Sequence, residues 1–251
     1  MKKVLLRTEN LCKSYANGGV QTHVLDRVNV EIYEGDFTVI MGSSGAGKST
    51  LLYCMSGMDL VTAGRVFYKE QEISGLKEKK MAFYRAKEFG FVFQQSQLVS
   101  NLTLLENVAI TGYLDKKLTS AQTREKAEEL LGAMNLKKAM NRYPSQVSGG
   151  EAQRAAIARA MLKEPGILFA EEPTGALNRR NTTDVLDLLS ELNRKGQSIL
   201  MVTHDVRAAV RATRLLYLED GRVIGELELA PYREEDAKNR EAQISAWLTS
   251  M

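Results

Sequence analysis

The octapeptide Gly42-Ser43-Ser44-Gly45-Ala46-Gly47-Lys48-Ser49 restricts this chain more than any other feature. It fits the pattern G-x-x-x-x-G-K-[ST] and is extended by Thr50. The short run Phe37-Thr38-Val39-Ile40-Met41 precedes it, between Gly35 and Gly42, and reads as a buried strand. Lys48 to Met58 follows with helical character. Strand, glycine-rich loop and helix in that order form a phosphate cradle. The glycines let backbone N–H groups turn inward, and the positive end of the helix adds to their field. Lys48 is placed to reach the β- and γ-phosphates, and the Ser49 hydroxyl to ligate Mg²⁺. The expected ligand is a nucleoside triphosphate.

The rest of the chain agrees with a parallel α/β sheet. Ile167-Leu168-Phe169-Ala170 and Ser198-Ile199-Leu200-Met201-Val202 read as buried strands. Between them, Val185, Leu188, Leu189 and Leu192 recur at helical spacing within 181–194. Strand–helix–strand alternation argues for parallel pairing. Residues 1–35 read as strands and turns, with strands at 4–9 and 28–33 and a break at Asn17-Gly18-Gly19. Residues 64–93 read as strand-like pieces ending in Phe89-Gly90-Phe91-Val92-Phe93. From about 103 to 142 the pattern is helical, and the helical block to 160 reads as an inserted subdomain. Residues 230–251 read as a charged tail with a short helix.

Composition narrows the class. The chain has 251 residues, 44% hydrophobic and 26% charged, which excludes disordered and collagen-like chains. The net charge of +3 does not argue for nucleic acid. Cys12 and Cys54 neither staple a chain of this length nor have zinc-site spacing, so a reducing compartment is expected. The apolar run of the N-terminus stops at Arg7, too short for a signal peptide. No apolar run approaches the roughly 18 residues that cross a bilayer.

Val147-Ser148-Gly149-Gly150-Glu151-Ala152-Gln153-Arg154 lies about 100 residues after the phosphate loop. With Arg154-Ala155-Ala156-Ile157-Ala158-Arg159-Ala160 behind it, this segment resembles the signature of the ABC ATPase superfamily, Leu-Ser-Gly-Gly-Gln/Glu. Val147 stands for the Leu. A hydroxyl and two glycines opening a helix also make an anion site in their own right. The resemblance covers about residues 4–228. It implies a P-loop NTPase (RecA-like) α/β core, with an N-terminal antiparallel β subdomain and an inserted α-helical signature subdomain at about 96–160. The ATPase domain would span 1–229 and the tail 230–251.

The resemblance also assigns residues. Ile167 to Ala170 followed by Glu171 and Glu172 is similar to the Walker B strand and the acid after it. It puts Glu171 at the Mg²⁺ position, where Asp is usual, and Glu172 at the general-base position. Gln94, with Gln95 as the alternative, falls at the glutamine that contacts Mg²⁺ and the attacking water. His204 falls at the switch histidine. Tyr15 falls at the aromatic that stacks on adenine. Nucleotide contacts are implied for Gly42, Ser43, Ser44, Gly45, Ala46, Gly47, Lys48, Ser49 and Thr50. Across a dimer, Ser148, Gly149 and Gly150 of the partner subunit are implied to complete the set. Asn178 takes the place of an Asp in the loop after Walker B.

The function implied is the ATP-binding and ATP-hydrolysing subunit of a bacterial ABC transporter, with ATP and Mg²⁺. It would dimerise on ATP at the cytoplasmic face of the membrane and drive a separate integral membrane permease, with no nucleic acid involved. Glu172-Pro173-Thr174-Gly175 and Gly57-Met58-Asp59 resemble the branch of macrolide exporters, lipoprotein release and bacitracin-type peptide resistance. The ending Arg240 to Leu248 resembles the peptide-resistance members. Two other readings stand beside it. One is a soluble repair or translation ATPase, but the long coiled coils of the first and the two ATPase units of the second have no place in this chain. The other is an ATP-binding switch with negligible turnover, suggested by Glu171 and Asn178.

Overall fold

The computed structural model describes residues 2–113 and 118–251. In chain order the elements begin with β1 (Val4–Asn17), β2 (Val20–Val28), β3 (Glu31–Tyr33) and β4 (Phe37–Met41). Then come α1 (Lys48–Met55), β5 (Ala63–Tyr68), β6 (Gln71–Glu72), α2 (Glu78–Lys87) and β7 (Phe89–Val92). Next are α3 (Leu104–Tyr113), α4 (Ser120–Ala133), α5 (Gly149–Met161), β8 (Ile167–Glu171) and α6 (Arg179–Arg194). The chain ends with β9 (Ser198–Val202), α7 (Val206–Ala209), β10 (Arg214–Glu219), β11 (Arg222–Glu228) and α8 (Ala237–Thr249). Two compact units result: Met1–Phe83 with Leu192–Met251, and Tyr84–Glu191.

In the first unit, β1 pairs antiparallel with β2, β3 and β5, and β5 with β6, which is the expected antiparallel subdomain. A second sheet places β4 between β10 and β9, both parallel to it. Every residue of β4 and β9 is buried. That burial on both faces explains why these strands read as continuous apolar runs and not as alternating ones. Burying each large apolar side chain there contributes roughly 1.5–3 kcal/mol. In the second unit β7 and β8 pair in parallel. Between them the chain inserts α3, α4 and α5, with α3 packed on both α4 and α5. This is the helical block of the α/β plan.

Three expectations change. The pattern of 64–93 predicts strand-like pieces, yet α2 forms inside it. Its Glu, Lys, Met, Ala and Arg residues are good helix formers. Only Met81 of this helix is buried, so no apolar stripe announces it. The 103–142 helical stretch splits into α3 and α4, and its residues 114–117 lie outside the described residues. The first strand also runs beyond residue 9, to Asn17, because β2 and β5 both pair along it.

The tail folds as α8 and packs on the first unit. Trp247 meets the Tyr217 ring edge-on, with centroids 6.3 Å apart. Arg240 is 5% exposed. Its Nε donates to Val210 O at 2.9 Å, its Nη1 to Ala230 O at 2.7 Å and its Nη2 to Ala212 O. One guanidinium thus serves three carbonyls, two of them just past α7. Its planar fork carries these donors on three separate nitrogens, whereas an ammonium has all of its donors on one. Arg240→Ala would strip a charged donor from three carbonyls at once. We expect a loss of about 3 kcal/mol of stability, with Arg240→Lys intermediate, read from urea unfolding. A loss well under ~1 kcal/mol would mean that the tail does not depend on this contact.

Candidate functional site

The first unit carries the phosphate loop. β4 delivers the chain to Gly42, and α1 leaves it at Lys48. Gly42 admits no side chain, because a Cβ there would lie 2.1 Å from Leu218 O. Gly47 sits at φ +100, and a Cβ on it would lie 2.9 Å from Val24 O. The glycines at both ends of the loop are therefore demanded by backbone packing and conformation. Gly47 also occupies the N-cap of α1, where no side chain caps the helix. Lys48 is buried, and its Nζ donates to Ser43 O at 2.7 Å and Gly42 O at 3.0 Å. The ammonium is thus held over its own loop. Ser49 and Thr50 are half-buried behind it.

His204 and Tyr15 lie in the same unit. His204 is exposed, directly after β9. The chain on either side of it is pinned. Thr203 N donates to Ile40 O at 3.2 Å, Asp205 N donates to Thr203 Oγ1 at 3.1 Å, and Asp205 caps α7 by accepting from Arg207 N at 2.9 Å. Tyr15 presents a ring that is 43% exposed.

The second unit carries the acids, the glutamine and the Ser-Gly-Gly segment. Glu171 ends β8 and Glu172 follows it, both half-buried. Glu172 adopts φ +42, a left-handed conformation unusual for a residue with a side chain. Gly175 N closes the turn by donating to Glu172 O at 2.9 Å. A Cβ on Gly175 would lie 2.8 Å from Gln94 Nε2. Glycine at 175 is what lets Gln94 lie against the turn that bears Glu172. Of the two candidate glutamines, it is Gln94 that meets this turn.

Ser148 is the N-cap of α5 and forms a reciprocal capping box with Glu151. Ser148 Oγ accepts from Glu151 N at 3.2 Å, and Ser148 N donates to Glu151 Oε2 at 2.8 Å. That N–H bond holds the Glu151 carboxyl below its ordinary pKa. A Cβ on Gly150 would lie 2.5 Å from Asn181 Cγ, so α5 starts in direct contact with α6. Asn178 accepts from Asn181 N at 3.0 Å. The amide at the Asp position thus still caps its helix.

No role for Gln153 or Arg159 is legible from the sequence. Gln153 is buried and donates to Phe93 O at 2.7 Å. Arg159 donates to Gln97 O at 2.6 Å and Ser96 O at 2.9 Å. Both grip the loop that bears Gln94. Burial pulls the Arg159 guanidinium below its ordinary pKa. Both stand on α5, but the loop they hold lies about 60 residues away.

The family model described as "ABC transporter" matches residues 25–175. The chain belongs to the ABC transporter family. This cassette is accordingly an ATPase, and ATP is its nucleotide. It is similar to the ATP-binding cassette MJ0796, solved as a dimer in a post-hydrolysis state bound to ADP and Pi. Identity is 36%, the TM-score is 0.83, and the match covers 91% of this chain and 100% of that one. A second dimeric structure of MJ0796, described as a bacterial ABC transporter cassette, matches with the same figures. The cassette is also similar to CbiO1 from Clostridium perfringens, part of the ABC transporter complex CbiONQ. There the identity is 27%, the TM-score 0.82 and the coverage 98% of this chain and 96% of the other. Among the described residues of this ABC cassette, no helix is long and apolar enough to cross a membrane.

Proposed function

We propose that this cassette is the peripheral ATPase subunit of a bacterial transporter at the cytoplasmic face of the membrane. Two copies close on ATP and drive a separate integral membrane permease of the antimicrobial-peptide-resistance type. The observation that carries this reading is a pair of glycine-opened helix N-termini on one chain. α1 follows the phosphate loop and α5 follows Ser148, and both suit phosphate. A dimer gives each a role on the same nucleotide. MJ0796 supports the reading because it is dimeric with ADP and Pi bound. CbiO1 supports it because it belongs to a transporter complex.

The residue roles follow from donor chemistry. The loop N–H groups of 42–47 and the Lys48 ammonium hold phosphate oxygens. The Tyr15 ring offers a stacking surface for adenine. Ser148, Gly149 and Gly150 of one subunit approach the phosphates held by the other. Ser49, Gln94 and Glu171 supply oxygen donors of the hard type that suits Mg²⁺. Mg²⁺ bound there would neutralise charge on the phosphate oxygens. Glu172 takes a proton from the attacking water as general base. His204 and Gln94 orient the reacting groups by hydrogen bonding.

The test is phosphate release by the cassette alone and reconstituted with a permease. Two are compared: one with ten helices and a large extracellular domain, and a four-helix permease of the exporter or lipoprotein-release type. Stimulation confined to the ten-helix partner is expected. Stimulation by the four-helix partner would move the cassette to the exporter or lipoprotein-release group. Stimulation by DNA or ribosomes with neither permease active would overturn the transport reading.

A further inference from the structure

A partly buried ion pair lies under Tyr15, and no role proposed above uses it. Lys13 is 7% exposed and two residues before Tyr15 on β1. Its Nζ donates to Asp59 Oδ1 at 2.6 Å and to Leu60 O at 2.7 Å. The Tyr15 hydroxyl donates to Asp59 Oδ2 at 2.6 Å. One carboxylate therefore binds both the ammonium and the phenol. The same ammonium lies 4.5 Å from the centroid of the Tyr15 ring. That cation–π contact covers one face of the ring, while 43% of the residue stays exposed.

The cluster is also tied to α1, the helix that follows the phosphate loop. Asp59 lies just past the end of α1, and its N–H donates to Tyr53 O at 3.1 Å. The anchor of the phenol thus belongs to the exit of α1. The charge states fit the geometry. Burial acts to raise the Asp59 carboxyl, but the bonds from Lys13 and Tyr15 outweigh it and hold it below the ordinary carboxylate range. Burial, then the bond to Asp59, push the Tyr15 phenol up, so it stays a donor at neutral pH.

We infer that Lys13 and Asp59 are positioning residues for nucleotide affinity. They lock the Tyr15 ring with one face closed by the ammonium and the other offered to adenine, at a fixed distance from the phosphate loop. The inference rests on the proposed stacking of adenine on Tyr15. A free ring would have to be ordered each time nucleotide binds; a locked one is ordered beforehand.

The test compares two probes, ATP and inorganic tripolyphosphate, titrated by calorimetry with Mg²⁺ present. Tripolyphosphate engages the phosphate loop and has no base. Asp59→Asn keeps the size and loses the charge; Lys13→Met keeps the stem and loses the ammonium. Each is expected to weaken ATP about 5- to 30-fold, within the range that loss of a base stack produces. Tripolyphosphate affinity should stay within about twofold. Tyr15→Ala should give the larger ATP loss, and Asp59→Asn added to it should cost little more, because the two act through one ring. Equal losses for ATP and tripolyphosphate, or losses that add to that of Tyr15→Ala, would overturn the inference and assign the pair to the fold alone. A full Tyr15→Ala effect with unchanged affinity in both other variants would also overturn it while leaving the stacking intact. Unchanged ATP affinity in Tyr15→Ala would overturn the stacking itself. Thermal melts accompany each variant, and Lys13→Met carries the test if Asp59→Asn fails to fold.

Discussion

Replacing Glu172 by Gln is expected to lower ATP hydrolysis by about 10²- to 10⁴-fold while ATP still binds. Gln has the shape of Glu and keeps its hydrogen-bonding reach, but it cannot take a proton from water at neutral pH. ATP binding should persist because the phosphate loop is a separate segment, built from β4, residues 42–47 and α1. A dimer that closes on ATP and cannot hydrolyse it should accumulate, seen by light scattering. The backbone supplies a control. Glu172 sits at φ +42, where a side chain costs of order 1 kcal/mol and glycine costs little. Glu172→Gly should therefore be as inactive as Glu172→Gln, with relief of the strained φ, on the order of 1 kcal/mol, set against the loss of the Glu172 side-chain contacts. An inactive variant no less stable than the parent cannot owe its inactivity to a damaged fold. Hydrolysis at the parental rate in Glu172→Gln would assign the base to another group, with Glu171 next in line.

The second large effect follows from the proposed sharing of one nucleotide between two subunits. Lys48→Ala removes the ammonium held over Gly42 O and Ser43 O, and its dimers should lose at least ~10²-fold in hydrolysis. Ser148→Arg puts a bulky cation at the start of α5 and breaks the capping box. Loss of the cap costs roughly 0.5–2 kcal/mol, too little to unfold the chain. Its dimers should be equally inactive. In a two-fold dimer, mixing the two variants changes the outcome. A mixed pair has one site lacking both groups and one site intact. Random pairing makes half the dimers mixed, so equal amounts should recover roughly one quarter of the parental rate. Phosphate release across a series of mixing ratios measures this, with a maximum expected at equal parts. A flat, inactive series would mean that Lys48 and Ser148 do not serve one nucleotide across two subunits.

Much of this protein was legible from local pattern. The run 37–41, the glycine spacing after it and the helix behind it predict strand, loop and helix, and β4 and α1 stand there. The spacing of Val185, Leu189 and their neighbours predicts a helix over 181–194, and α6 occupies Arg179–Arg194. Ser148 followed by Gly149, Gly150 and Glu151 spells a helix start, and the capping box forms. These readings succeed because period, propensity and capping act within a few residues of chain.

Other features were decided only by the tertiary structure. The Lys13–Asp59 pair spans 46 residues, and Arg240 reaches carbonyls up to 30 residues away. Gln153 and Arg159 hold a loop about 60 residues back in the chain. Neither partner of such a contact carries a local mark: a lysine on a strand, an aspartate after a helix and an arginine in a tail are ordinary surface residues by type. Their roles come from burial. Once packing removes water from Lys13 or Arg240, the charge must find a carboxylate or carbonyls nearby, and only the folded chain determines which ones are there. Glycine shows the same division. That Gly42 ends a strand is plain from sequence, while the reason no side chain fits is the carbonyl of Leu218, delivered by a neighbouring strand from far along the chain.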